Sequence, residues 1–288
     1  MNSFEQITLK DGRKLAFAVY GAKQGGQPIF YFHGWPSSRL EGSNYVDALM
    51  GVNGRLIAVD RPGIGQSDIQ PKRTLLDWPD DVCELADQLG FAKFHVLGTS
   101  GGGPYVAACA YKIPDRLLGA SIIAGLSPMN NPKTKDGMRL MNRIILPMGK
   151  SAPWLLGLIL KMMRSSFENP KSLERMLSDL PDVDKALFKG ELATHFLTTG
   201  QESFTQGVQG NIVEGRIYAE PWGFNLRDIK IPVSIWQGSL DVNVPLSNGR
   251  ILADEIPNAN AHFIEEEGHL SLIINQKEAI LIDLLQFA

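Results

Sequence analysis

The sequence predicts an α/β fold, a mostly parallel sheet with helices on both faces, interrupted once by a helical insertion. Three observations carry this expectation. Short apolar runs alternate with amphipathic stretches over residues 1–128 and again over 221–288, the pattern of strands joined by crossover helices. Between Met129 and Glu220 the strand-like runs stop. With 288 residues, 44% of them apolar, the chain is long enough for two average domains or one large α/β domain with an insertion.

In chain order, Ile7 to Leu9 and Lys14 to Val19 flank Asp11-Gly12. That pair tolerates the positive φ angles of a tight turn, so an antiparallel edge hairpin is expected. Four apolar runs follow as strands: Pro28 to Phe32, Arg55 to Val59, Lys93 to Leu97 and Leu118 to Ala124. Between them Leu75, Trp78, Val82, Leu85 and Leu89 fall at helical spacing, and Tyr105 to Tyr111 is rich in alanine, a strong helix former. The segment from Met129 to Glu220 is rich in Met, Leu, Lys and Arg and is punctuated by Pro132, Pro147, Pro153, Pro170 and Pro181, so it reads as several helices. Strands resume at Val233 to Gln237 and Ala261 to Ile264, and Leu272 to Phe287 closes the chain as an amphipathic helix.

Composition excludes several functions. The 28 basic and 31 acidic side chains give a net charge near −3, which provides no basic face to neutralise a phosphate backbone, so no nucleic-acid partner is expected. Two cysteines, Cys83 and Cys109, are too few for a disulfide framework and sit among apolar residues, which suggests buried, reduced thiols. The N-terminus shows no signal-peptide pattern, and the most apolar stretch, Ile144 to Met163, is broken by Pro147, Gly149, Lys150 and Pro153. No membrane span is expected, and a cytoplasmic location fits best.

The chemistry is concentrated in four short loops. Gly98-Thr99-Ser100-Gly101-Gly102 follows the apolar run ending at Leu97 and precedes the helical stretch from Pro104. A Gly-x-Ser-x-Gly match by itself also fits an ordinary glycine-rich turn, but the strand-turn-helix setting is that of a nucleophile elbow, which holds a serine hydroxyl at the top of a sheet. A serine needs a base, and the base needs a carboxylate to orient it. Of His33, His95, His195, His262 and His269, three fall inside strands or the insertion. His269 instead follows the last strand through Glu265-Glu266-Glu267-Gly268, on a loop at a carboxyl end. Asp241, in the loop after Val233 to Gln237, is the expected acid; the loop after Leu118 to Ala124 reads Gly125-Leu126-Ser127-Pro128 and has no carboxylate. Helix capping is the competing role for a lone loop Asp.

The loop His33-Gly34-Trp35-Pro36 follows the strand Pro28 to Phe32. It can aim the Trp35 N–H at a developing oxyanion, with the Gly101 N–H as second donor. His33 and Gly34 are read as support for that loop.

These elements resemble the α/β-hydrolase superfamily: His33-Gly34-x-Pro36, Asp60-Arg61-Pro62-Gly63-x-Gly65-x-Ser67-Asp68, Gly98-x-Ser100-x-Gly102, Asp241 and Gly268-His269 occur in the family's order. The sequence is similar to its esterase, prolyl-aminopeptidase-like and cofactor-free haloperoxidase branches. The resemblance implies a mostly parallel eight-stranded sheet, a Ser100-His269-Asp241 triad and a helical cap at 129–220 on a core formed by 1–128 and 221–288. Asp at the elbow, which halide- or epoxide-opening relatives would use, is replaced by Ser100.

No metal and no cofactor are expected, since the histidine spacing offers no ligand set and Gly63-x-Gly65 lacks the third glycine of a dinucleotide fingerprint. The expected reaction is hydrolysis of a small to medium, rather apolar carboxylic ester. Peptide, lactone or carbon-carbon hydrolysis, perhydrolysis, and slow-turnover ligand reception remain alternatives on the same residues. In the insertion Met138, Met141, Ile144, Ile145, Leu146, Met148, Trp154, Leu155 and Leu156 are candidates for cap core or for an apolar pocket wall.

Overall fold

The computed structural model describes residues 4–286. Its centre is one eight-stranded sheet of β1 (Glu5–Thr8), β2 (Lys14–Gly21), β3 (Gln27–Phe32), β4 (Gly54–Val59), β5 (Phe94–Thr99), β6 (Leu117–Ile123), β7 (Val233–Gly238) and β8 (Ala259–Ile264). Spatial order is β1-β2-β4-β3-β5-β6-β7-β8. β2 pairs antiparallel with both β1 and β4, and every other pairing is parallel. The expected edge hairpin is β1–β2.

Side chains alternate across the strands and fill two layers. Phe30, Phe32 and Val96 join α2 (Trp78–Gln88), α3 (Gly103–Lys112) and α10 (Leu246–Glu255) on one face. Ile29, Tyr31 and Leu97 join α1 (Val46–Val52) and α11 (His269–Leu285) on the other. Parallel strands covered on both faces have no polar side to spare, which is why β5 reads as an apolar run and is buried throughout.

Between β6 and β7 the chain forms only helices among the described residues: α4 (Leu140–Ser151), α5 (Pro153–Phe167), α6 (Leu173–Leu177), α7 (Asp182–Lys185), α8 (Gly190–Ser203) and α9 (Gln209–Ala219). They enclose a small core of their own, with Ile145, Leu156, Leu160, Phe167, Leu197 and Phe204. At the α4–α9 crossing a Cβ on Gly149 would lie 2.0 Å from the Gly215 carbonyl oxygen, so only glycine lets the two backbones touch.

Three expectations need correction. Of the apolar stretch proposed to line a pocket or cap core, Met138, Ile145, Leu146 and Leu156 are buried, but Met141, Ile144 and Trp154 face solvent, because α4 and α5 turn one side outward. Cys109 is a buried thiol, whereas Cys83 is only half-buried, lying beside rather than within the α2 face that buries Trp78, Val82 and Leu85. His269 does not sit in a loop; it opens α11, three residues before the expected helix start. Phe287 lies outside the described residues. Among those residues no helix is long and apolar enough to cross a membrane.

Candidate active site

The carboxyl ends of β3, β5, β7 and β8 bring the four loops to one edge of the sheet, the place where parallel α/β sheets bind ligands. Ser100 directly follows β5 with φ at +54°, a strained left-handed conformation for a side chain other than glycine. The flanking glycines make the sharp turn feasible. A Cβ on Gly98 would lie 2.6 Å from the Gly102 carbonyl oxygen, and one on Gly102 would lie 2.0 Å from that of Phe32. The motif residues therefore follow from sterics: small on both sides of a serine pushed out of the strand.

Asp241 is buried after β7. Its Oδ1 accepts the amides of Asn243 (2.8 Å) and Val244 (2.9 Å), and Oδ2 accepts the Gln237 side-chain amide at 3.1 Å. The same Oδ2 lies 2.7 Å from His269 Nδ1. A carboxylate surrounded by donors can only accept, so the Nδ1 proton points at Asp241 and the lone pair of Nε2 is left free to act as a base. Burial works against a charged His269 ring, but the Asp241 carboxylate, helped by Asp184 and Glu41, outweighs it and holds the ring above its ordinary pKa. His269 and Asp241 are thus brought into contact. Ser100 Oγ makes no hydrogen bond to His269, a link that in many hydrolases tightens only around substrate.

Two backbone donors remain available. Among the described residues the N–H groups of Trp35 and Gly101 have no acceptor, while the neighbouring Gly34 N–H is taken by Glu41 Oε2 at 2.8 Å. The Gly34 position also lies beside Ser100: a Cβ built there would be 3.6 Å from the Ser100 Cβ. His33 Nδ1 lies 2.8 Å from the Gly34 carbonyl oxygen, and Nε2 accepts the Arg61 N–H at 3.4 Å. Burial and the Arg61 charge press its pKa well down, so it is a neutral brace in the loop. His95 in β5 and His262 in β8 engage Gln27 and Asn260, and His195 in α8 lies against Ser43.

The sequence reading missed the groups that hold these loops from the helical segment. Glu214 on α9 is fully buried and pairs with Arg61 at 2.7 Å and with Arg73. The Tyr105 hydroxyl donates to it at 2.6 Å, and the Tyr218 hydroxyl lies 2.5 Å from Glu214 and 3.0 Å from the Gly101 carbonyl oxygen. Arg61 also donates to the carbonyls of His33 and Gly34. One buried ionic cluster thereby ties α9 to the elbow and to the His33-Gly34 loop. Only Arg61 had a visible signal, inside the Asp60-Arg61-Pro62-Gly63 motif; Glu214 and Tyr218 sit one helical turn apart with nothing local to mark them.

Burial opposes the Glu214 charge, yet Arg61 and Arg73 keep its carboxyl far below the ordinary carboxylate range. Removing it leaves two buried cations without their partner. Glu214→Ala is expected to cost about 3 to 5 kcal/mol of unfolding free energy in a urea titration. Because the folded pKa is depressed, this stabilisation is complete above about pH 5 and fades on acidification. The wild type should therefore lose more stability than the variant between neutral and acid pH. Equal acid sensitivity of the two would contradict the assignment.

A second buried carboxylate of the helical segment acts on the histidine. Asp184 on α7 accepts the amides of His269 (3.0 Å), Leu270 (3.0 Å) and Ser271 (2.9 Å). These are the first-turn donors of α11, which lack partners within the helix. Gly268 has no side chain to cap them, and a Cβ there would lie 2.5 Å from the Asp184 carboxylate. The distant acid explains why the helix begins at His269, earlier than its own sequence suggests.

Comparison with known proteins places this architecture. A family model described as the alpha/beta hydrolase fold matches residues 27–276, and the chain belongs to that family. It is 25% identical to the 2-hydroxy-6-oxononadienedioate/2-hydroxy-6-oxononatrienedioate hydrolase of Escherichia coli K12 over 90% of this chain and 86% of that protein. Among solved structures it resembles an esterase from Rhodococcus sp. ECU1013 (TM-score 0.71, 20% identity, 100% of both chains). It also resembles the enol-lactonase of Burkholderia xenovorans LB400 (TM-score 0.69, 18% identity, 98% of this chain and 99% of that one). The chain is an alpha/beta hydrolase, and the proteins it resembles bear the names of a dienedioate hydrolase, an esterase and an enol-lactonase.

Proposed function

We propose that the protein is a serine hydrolase that cleaves a small to medium, rather apolar carboxylic ester through an acyl-enzyme, with residues 129–220 as a cap over a core of 1–128 and 221–288. The observation that carries this reading is a strained serine elbow at one end of the sheet that also holds a His269–Asp241 pair at 2.7 Å. Ser100 Oγ attacks the ester carbonyl carbon as His269 Nε2 takes its proton, and the oxyanion is met by the N–H groups of Trp35 and Gly101. His269 returns the proton to the leaving alkoxide, which departs as the alcohol. A water then gives its proton to His269 and attacks the acyl carbon. Collapse frees the acid and restores the Ser100 hydroxyl.

Glu41 favours an uncharged substrate. Its carboxylate accepts the Gly34 N–H beside Ser100, so a dianion of the kind named for the Escherichia coli relative would meet like charge at the site. Across soluble p-nitrophenyl esters, an enol-lactone and a dicarboxylate with a cleavable carbon-carbon bond, kcat/KM should be highest for a short neutral ester, by about tenfold or more. A fluorophosphonate should label the chain at Ser100. Preference for the dicarboxylate would reassign the substrate, and failure to label would remove the serine chemistry altogether.

A further inference from the structure

The outward side of α4 and α5 has no role in the site, and its composition is unusual for a free surface. Most exposed apolar side chains are scattered and need no explanation. Here Trp154, Leu158 and Met162 stand on α5 at intervals of four residues, exposed to 71%, 50% and 71%, and Leu140, Met141 and Ile144 are exposed on α4, which packs against α5. Spacing of four places the α5 residues in one stripe along the helix. From Gly137 to Phe167 the sequence contains Arg139, Arg143, Lys150, Lys161 and Arg164 and no acidic residue, in a chain whose net charge is −3. Among the described residues Arg143, Lys150 and Lys161 are exposed and join no ion pair, whereas Arg139 pairs with Asp179 and Arg164 with Glu168.

We propose that this α4–α5 face docks on an anionic lipid bilayer, lying in the plane of the interface. An apolar stripe headed by a tryptophan and accompanied by lysine and arginine is the composition that inserts shallowly among headgroups and acyl chains, while the cations meet anionic lipid. Trp154 suits the boundary, where an indole is apolar over its rings and polar at its N–H. The charge also argues against a second copy as the occupant. A two-fold interface sets the same patch against itself, and here that would oppose cation to cation with no acidic side chain to answer. Position adds a consequence: the Arg139 N–H donates to the Val242 carbonyl at 2.8 Å and the Asn142 side-chain amide donates to that of Asn243 at 3.1 Å. The docked face thus continues into the loop that carries Asp241. If the ester reading above holds, a substrate dissolved in the bilayer would arrive next to the site; the docking itself does not depend on that reading.

The test is co-sedimentation of the full chain with phosphatidylcholine vesicles containing about one third phosphatidylglycerol, beside vesicles of phosphatidylcholine alone. Binding should favour the anionic vesicles by about tenfold or more and weaken as salt is raised to screen the cations. The fluorescence of Trp154 should shift to the blue on binding, a change that Trp154→Phe abolishes. Trp154→Ser combined with Met162→Ser, and separately Lys150→Glu with Lys161→Glu, should each lower vesicle partitioning about tenfold or more with the thermal midpoint unchanged, since all four side chains are exposed. Absence of binding to either vesicle overturns the proposal, as does binding that the double variants leave intact. So does a dimer in sedimentation equilibrium that the Trp154/Met162 variant dissolves, which would make a second copy the occupant. None of these measurements uses catalysis, so a failure here is distinct from a failure of the ester assignment.

Discussion

Ser100→Ala is expected to lower kcat for a p-nitrophenyl ester by about 10⁴- to 10⁶-fold, with KM changed only slightly. The magnitude follows from what the hydroxyl does. On the proposed mechanism no acyl-enzyme would form without it, and the Trp35 and Gly101 amides and the binding surface could assist only the direct attack of water. The substitution is also a clean one. Ser100 occupies a left-handed φ of +54°, and alanine must hold the same strained backbone with one atom fewer, so the fold should persist. Unfolding in urea separates loss of chemistry from loss of structure. A variant that folds normally and still turns the ester over at the wild-type rate would show that Ser100 is not the nucleophile.

The second large effect belongs to Asp241→Asn, for which a fall in kcat of about 10⁴-fold is expected. In the proposed mechanism the carboxylate both fixes the Nδ1–H tautomer of His269 and stabilises the imidazolium that would form as Ser100 is deprotonated. An amide at the same place can present its NH₂ to Nδ1, which moves the proton to Nε2 and turns the base away from its task. The pH profile separates this from general damage. His269 is held above the ordinary value of about 6.5, chiefly against burial and by the charge of Asp241. In the wild type the acid limb of kcat/KM should therefore lie above that value, with activity lost as pH falls through it. Once the carboxylate is removed, burial acts with less opposition, so the limb of the residual activity should move to lower pH. A limb that stays in place would mean that another carboxylate orients the histidine.

Much of the fold was legible because the forces that set it are local. Strands buried on both faces must be apolar runs, helices between them must carry one apolar side, and the Asp11-Gly12 turn fixes the edge hairpin. The elbow was legible in part for the same reason: Gly98 is dictated by Gly102 a few residues on, whereas Gly102 answers to the Phe32 carbonyl of the neighbouring strand and is marked only by its place in the motif. Glu214, Asp184 and Glu41 were not. Glu214 acts on Arg61 and Arg73 and Asp184 on the first turn of α11, both far away in sequence, while Glu41 reaches back seven residues to Gly34 across an irregular turn; a lone acidic residue in a helix has no local pattern to distinguish it from a solvated one. The orientation of α4 and α5 was hidden likewise. Both helices carry apolar residues on their buried and their exposed sides, Ile145 and Leu156 against Ile144 and Trp154, so which side meets α9 and which meets solvent is settled by packing and by Gly149 rather than by apolar spacing alone.

The carboxylate of Asp184 has a consequence for timing. It rides on α7, yet it completes the first turn of α11 and contributes to the charge that keeps His269 basic. Any outward swing of the helical segment that carried α7 with it would strip three amides of their acceptor and weaken the base in the same movement. Entry and reaction would then be interlocked: the posture that admits a molecule is the one in which the enzyme is least reactive, and full reactivity returns only when the door has shut. On the proposed mechanism, such an arrangement would keep Ser100 from being activated while the site is open to water. It would make closing, rather than bond breaking, the step at which the protein commits.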